Sequence, residues 1–281
     1  MDVRNLGGRW VVVTGAASGI GRASALAFAA RGASLALCDL DEAGLAETGE
    51  RIAALARPAG AATLAARVDV ADAAAVSAFA DQVHARVPAV DVLMNNAGVA
   101  IGARFQDTTL EDWRWIVDVN LMGVVHGCRA FVPRMVSRAR GGHVVNVASL
   151  AGYFASQALA AYSTTKFAVV GLSEALRDEL APAGIGVSAV CPGIIDTPIT
   201  RNAKLRGPLA TSAMRDQLVA GYRRRGYTAE RVARGVLRAI ERDRGLAPIS
   251  PESWALWFAK RVSPGFVAWL GARGRARIAP D

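Results

Sequence analysis

The 281-residue chain has only three cysteines and three histidines, and neither set is arranged for chemistry. Cys38, Cys128 and Cys191 are odd in number and scattered through apolar runs, which excludes a disulfide framework and suits reduced interior thiols. His84, His126 and His143 stand alone without metal-ligand spacing, so no metal is expected. No run of 18 uncharged apolar residues occurs, which argues against a spanning helix. The first residues pass almost directly into RWVVVTG, without the basic stretch, apolar core and small-residue site of an export leader. The expected location is cytoplasmic.

What is present is a large apolar fraction, 52%, enough for the core of one large domain or two small ones. The net charge of +9 is uneven: residues 1–200 carry 16 Lys/Arg against 18 Asp/Glu, whereas residues 201–281 carry 17 against 6. Arg223, Arg224 and Arg225 form the only tight basic run, and no helix-turn-helix, zinc-finger or aromatic-basic pattern accompanies it, so no nucleic-acid partner is expected. A solvated basic face is one reading of this charge; an anionic membrane surface or an acidic ligand is the other.

Residues 9–14 (RWVVVT) form a β-branched run, GAASGIG follows, and RASALAFAARG has helical composition up to Gly32. In such a strand, Gly-rich turn and helix, Gly15, Gly19 and Gly21 allow a tight turn and the approach of a pyrophosphate to the helix N-terminus. A second strand, SLALCD, ends in Asp39, 18 residues after Gly21. A carboxylate there can accept both ribose hydroxyls of an adenosine and would repel a 2′-phosphate, which points to NAD rather than NADP. Strand and helix patterns keep alternating, as a parallel sheet requires. Asp69 and Val70 close the third strand on the side expected for an adenine ring. Asn95, Asn96, Ala97 and Gly98 follow the fourth, either as a polar turn or as part of a site. A helical stretch from about Leu110 to Val136 carries Asn120 near its middle, where an amide in an apolar face makes a core hydrogen bond or supports a site.

The fifth strand, GGHVVNVAS, closes on Ser149, and the next segment, ALAAYSTTKFAVVGLSEAL, reads as helix. Tyr162 and Lys166 stand four apart within it and share a face. A phenol with an ordinary pKa of about 10 is a poor proton shuttle near neutrality, but an adjacent ammonium favours its phenolate, making Tyr162 a candidate general acid/base. The Ser149 hydroxyl could hold a substrate oxygen that Tyr162 also touches. A sixth strand, GIGVSAVCPG, ends in Pro192 and Gly193, which would stop the strand and bring backbone close to a ligand. Thr197 offers a hydroxyl to an amide such as that of nicotinamide.

TGAASGIG at 14–21, NNAG at 95–98, Asn120, Ser149, YSTTK at 162–166 and PGIIDT at 192–197 together resemble the short-chain dehydrogenase/reductase family, from about Val11 to Thr197. The resemblance implies one Rossmann-type α/β domain over residues 1–250, with a mostly parallel seven-stranded sheet and helices on both faces. It implies that Tyr162 exchanges a proton with the substrate oxygen, Lys166 lowers the tyrosine pKa and holds the nicotinamide ribose, Ser149 orients the substrate, and Asn120 holds a water linking Lys166 to solvent. The cofactor would be NAD, held by Gly15, Ser18, Gly19, Ile20, Gly21, Asp39, Asp69, Val70, Asn96, Ala97, Gly98, Tyr162, Lys166, Pro192, Gly193, Ile195 and Thr197. NADP-preferring relatives place a basic residue where this chain has Ser18 or Leu40; Arg22 is the only cation nearby.

The expected activity is interconversion of a secondary alcohol and a ketone. Leu150, Tyr153 and Phe154 after Ser149, with Ile194 and Ile195, hint at an apolar lipid, steroid-like or aromatic substrate contacted by Ser149, Tyr162, Phe154 and Ile194. The rival readings are an NADP-dependent carbonyl reductase and a non-catalytic dinucleotide-binding regulator. The segment at about 199–226, basic and polar with scattered apolar residues, falls where the family covers its substrate. A homodimer or homotetramer is implied. The extension at 251–281 holds Trp254, Trp257 and Trp269. It reads as a tail packed on its own domain or on a partner subunit, as a cover over the substrate pocket, or as a peripheral membrane anchor with Arg273, Arg275 and Arg277 facing headgroups.

Overall fold

The computed structural model describes residues 1–265, 267 and 269. Its strands are β1 (Trp10–Thr14), β2 (Ser34–Asp39), β3 (Thr63–Arg67), β4 (Val92–Asn95), β5 (Ile101–Gly102), β6 (Gly142–Val147), β7 (Ile185–Cys191), β8 (Lys204–Leu205) and β9 (Leu246–Pro248). Among the described residues, seven of them form one parallel sheet in the order β3-β2-β1-β4-β6-β7-β9, and β5 pairs with β8 in a small separate one. The winding reverses between β1 and β4, and a crevice opens there beyond the strands' C-terminal ends. The inner strands are buried on both faces, which is why they read as continuous apolar runs without alternation.

The helices are α1 (Gly19–Ala29), α2 (Glu42–Ala53), α3 (Ala73–His84), α4 (Leu110–Val117), α5 (Gly123–Arg138), α6 (Ala160–Leu180), α7 (Pro198–Asn202), α8 (Ser212–Arg225), α9 (Ala229–Glu241) and α10 (Pro251–Val262). On one face of the sheet, Val11, Val13, Leu35 and Leu37 pack against Phe28 of α1, Ile52 of α2 and Val236 and Ile240 of α9. On the other, Val12, Leu93, Val144 and Val187 meet Phe79 of α3, Phe131 and Met135 of α5 and Val169 of α6. This odd-even division within single strands is the period of two expressed as two cores. Asp41 and Asp72 cap α2 and α3 by accepting first-turn N–H groups.

The helical stretch expected from Leu110 to Val136 is interrupted: a π turn at Asp118–Met122 separates α4 from α5, with Asn120 inside it. Leu110–Arg138 is long and apolar enough to cross a membrane by length and composition. In the fold, however, Val124, Phe131 and Met135 bury it against the sheet. The α10 helix packs on the loops after β6 and β7 rather than standing away from them. Its Ser253 hydroxyl donates to the Cys191 carbonyl at 2.7 Å and meets the Tyr153 hydroxyl. Arg273, Arg275 and Arg277 lie outside the described residues. All three thiols are buried and free, and burial pushes each up to about 12.

His143, at the opposite end of the sheet from the crevice, is buried, with Nε2 2.8 Å from the Ser188 hydroxyl. Burial pushes its pKa down to about 4, opposed by the Asp243 carboxylate. The folded protein therefore binds fewer protons here than the unfolded chain once pH falls below an ordinary histidine pKa of about 6.5. The stability present above that value is lost toward pH 4 at up to about 1.4 kcal/mol per pH unit. In His143→Gln, the denaturation midpoint should fall less between pH 7 and pH 4.5 than in the wild type. An equal fall would refute the assignment.

Candidate active site

The crevice is built first by the Gly-rich turn. The Thr14 hydroxyl accepts the N–H groups of Asn96 and Ala97, both at 3.0 Å, and the Asn96 amide donates to the carbonyls of Thr14 (2.9 Å) and Gly15 (3.1 Å). Turn and β4 loop are thus one unit. Gly15 has φ +66°, and a Cβ on Gly21 would sit 2.0 Å from the Gly15 carbonyl oxygen, so neither position admits a side chain at low cost. Ser18 stands at the N-cap of α1 without a side-chain hydrogen bond to it, and Gly19 and Ile20 face the crevice. N–H groups of that first turn are available to an anion.

Asp39 lies at the end of β2, accepting from the N–H of Ala17 at 2.9 Å and of Asp41 at 3.1 Å. Arg22 is spent elsewhere: it pairs with Glu47 at 2.8 Å and donates to Thr48 at 3.0 Å, to the Gly44 carbonyl at 3.1 Å and to the Ala17 carbonyl. Asp69 and Val70 sit just beyond β3, which ends at Arg67; the Asp69 carboxylate accepts from Ala71 N–H at 2.9 Å, and His126 holds the Val70 carbonyl at 2.9 Å. Among the described residues that line the crevice, Lys166 is the single cation, against Asp39, Asp41, Asp69 and Asp118.

Ser149, Tyr162 and Lys166 meet on the other side of the β1/β4 switch. Ser149 follows the end of β6 by two residues and caps a 3₁₀ turn at Leu150–Gly152, its hydroxyl accepting from Ala151 N–H at 3.1 Å. The Lys166 Nζ lies 5.8 Å from the Tyr162 ring centroid and donates to the Val147 carbonyl at 3.0 Å. The tyrosine shift in this geometry runs upward. Burial pushes the phenol up to about 12, a hydrogen bond with Ser149 pulls it back, and Tyr222 and Cys191 add to the rise. Burial also brings the Lys166 ammonium down to about 8. Desolvation is the largest influence on each group.

Asn120 is fully buried and acts as a backbone clamp. Its Oδ1 accepts from Val99 N–H at 2.8 Å, and its Nδ2 donates to the Val99 carbonyl at 2.9 Å and the Thr165 hydroxyl at 3.3 Å. A Cβ on Gly98 would lie 3.2 Å from the Asn120 Oδ1 and 3.5 Å from the Lys166 Nζ, so the amide and the ammonium flank the same glycine. Asn95, by contrast, turns beneath the sheet to donate to Asn146 at 2.9 Å. Pro192, Gly193, Ile195 and Thr197 line the crevice. Gly193 has a further role that its expected closeness to ligand does not cover: a Cβ there would sit 2.3 Å from Glu252 Oε1 and from Ser250 Oγ.

The whole cleft encloses about 930 Å³. Its second half is lined by Phe154, Leu159, Ile194, Ile199, Leu205 and Leu209, and by Met214, Leu218 and Tyr222 of α8. Tyr153 is not among the lining residues; it turns away to Ser253 of α10, donating to the Ser253 carbonyl at 2.8 Å. The α8 stripe is absent from the expectation drawn from sequence, although positions 214, 218 and 222 repeat at helical spacing and the signal was readable.

The Gly-rich turn, the uncapped helix N-terminus, the carboxylate at Asp39 and the apolar second half fit a dinucleotide beside a small molecule. The family described as short chain dehydrogenase matches residues 9–206. Two Mycobacterium tuberculosis proteins named as oxidoreductases, EphD and SadH, are 42% and 35% identical to this chain. The first similarity covers 90% of this chain and 43% of EphD, so the chain spans less than half of that relative's length. The second covers 97% of each chain. A crystal structure of a short chain dehydrogenase/reductase from Burkholderia phymatum in complex with NAD has a TM-score of 0.83 at 34% identity, covering 95% of this chain and 96% of that one.

Proposed function

The chain belongs to the short-chain dehydrogenase/reductase family, and we propose that it is an NAD(P)-dependent oxidoreductase that interconverts a secondary alcohol and a ketone on an apolar substrate with NAD(H) as its cofactor. The observation that carries this reading is the convergence of Ser149, Tyr162 and Lys166 at the junction of two unlike halves of one cleft. One half offers a Gly-rich turn and carboxylates; the other offers aliphatic and aromatic side chains.

In the oxidative direction the substrate hydroxyl, held by Ser149, loses its proton to the Tyr162 phenolate while the carbon gives up a hydride and the C–O bond becomes C=O. In the reductive direction the Tyr162 phenol returns the proton. The cofactor, when bound, takes up or delivers the hydride and, in its oxidised form, adds a positive charge to the cleft. Lys166 stabilises the phenolate while it stays protonated. Since its pKa lies at about 8, that support fades above that pH. Asn120 keeps Val99 and the 162–166 turn in register through its bonds to Val99 and Thr165.

Preference for NAD follows from charge. A 2′-phosphate brought to Asp39 would meet Asp41 and Asp69 nearby in the cleft, and Arg22, bound to Glu47, is not available to it. The α8 stripe of Met214, Leu218 and Tyr222 favours a substrate with a broad apolar body.

Tyr162→Phe should lower turnover at least 100-fold, within the range general acid/base catalysis supplies, while NADH still binds with nearly wild-type affinity. Turnover and fluorescence titration with NADH check both halves, and substantial activity in the mutant would remove Tyr162 from its role. Asp39→Ala should shift the ratio of NAD to NADP affinities toward NADP by about tenfold or more, as removing one repulsive charge predicts. An unchanged ratio of dissociation constants would refute the assignment of Asp39.

A further inference from the structure

The α8 helix, which roofs the apolar half of the cleft, contains no buried residue. It needs ties at both ends. Before its start, β8 pairs with β5, with Lys204 N–H donating to the Ala100 carbonyl at 3.0 Å and Arg206 N–H to the Gly102 carbonyl at 3.1 Å. Arg206 there forms a two-pronged pair with the buried Asp112, at 2.8 and 2.9 Å. At its end the helix stops at Gly226 with φ +62°, and Arg225 reaches Glu252 Oε2 at 2.6 Å.

The other oxygen of that carboxylate, Oε1, accepts the N–H of Ile194 at 2.9 Å. Ile194 belongs to the loop after β7, which lines the cleft together with Pro192, Gly193, Ile195 and Thr197. One carboxylate in the first turn of α10 thus holds the roof with one oxygen and this loop with the other. Gly193 leaves the space it occupies. Burial works against its charge, but the Ile194 N–H, Arg225 and the neighbouring Ser250 keep the Glu252 carboxyl below its ordinary range, so it is ionised at neutral pH.

We propose that Glu252 is a positioning residue that couples occupation of the dinucleotide half of the cleft to the placement of α8 over the substrate half, an inference that rests on reading the cleft as an NAD(H) site. A ligand that fixes the 192–197 loop also fixes the Ile194 N–H, and through Glu252 it fixes Arg225 and the C-terminal turn of α8. Coupling of this kind is reciprocal: whatever holds α8 down also favours the dinucleotide.

The basic run Arg223–Arg225 makes the coupling measurable, because trypsin cleaves there when the helix end opens. With the full chain, NADH should slow cleavage at this run at least about fivefold in the wild type. In Glu252→Ala the protection should fall below about twofold, although NADH still binds saturably by fluorescence titration. Glu252→Gln keeps an acceptor for Ile194 N–H but loses the charge facing Arg225, so it should retain partial protection. Arg225→Met, a change at a partly exposed helix end, should likewise lose protection while Arg223 and Arg224 remain as cleavage sites. Equal protection in wild type and Glu252→Ala would overturn the proposal, as would saturable NADH binding to the wild type without any protection. Failure of NADH to bind the wild type, seen directly in the titration, would instead remove the cofactor reading on which the proposal stands.

Discussion

The Tyr162 phenol, half-buried, and the Lys166 ammonium, buried, are packed side by side at the C-terminal edge of a parallel sheet. Desolvation opposes the charged form of each, which is why the phenol stands at about 12 and the ammonium at about 8. The protonated phenol is thereby the resting form. Much of the surrounding structure holds this pair in place. The Val147 carbonyl anchors the ammonium, Ser149 faces the phenol, and Asn120 locks Val99 and Thr165 around them. The π turn at Asp118–Met122 brings Asn120 to that position, an irregularity of the kind that accumulates where a helix serves a site.

The charge distribution of the cleft extends the same logic. With Lys166 as the single cation among the described lining residues, a negatively charged ligand must rely on N–H groups at the start of α1 and on neutral contacts. Among the described residues, the other cations are used structurally or lie outside the cleft. Arg206 serves Asp112, Arg225 serves Glu252, Arg177 pairs with Asp243 at 2.7 Å, and Arg22 serves Glu47. Basicity here therefore says little about what enters the cleft.

The alternation of strands and helices, the Gly-rich turn and the Tyr162/Lys166 face were legible because each has a local signature: β-branched runs, glycines at fixed offsets, and a four-residue spacing. Ser149, Asn96 and Thr197 were legible as members of that motif set. The features that were not legible depend on contacts distant in sequence. The direction of the Tyr162 shift is decided by how much protein surrounds it, and spacing within one helix carries no information about that. Gly193 makes room for Glu252, almost 60 positions later, and Tyr153 leaves the cleft for Ser253, a full 100 positions away. The segment at 199–226 was expected to cover the substrate, but its basic and polar residues left the Met214, Leu218 and Tyr222 stripe within it unread.

The central claim is that burial keeps Tyr162 protonated and that added positive charge in the cleft is what releases its proton. The most direct measurement is the ultraviolet phenolate titration of the wild type minus that of Tyr162→Phe, with and without saturating NAD. The account predicts that without NAD the difference signal appears only near or above pH 11, and that NAD moves its midpoint down by at least about one pH unit, as a neighbouring opposite charge does. A midpoint near neutrality without NAD, or the same midpoint in both conditions, would contradict it.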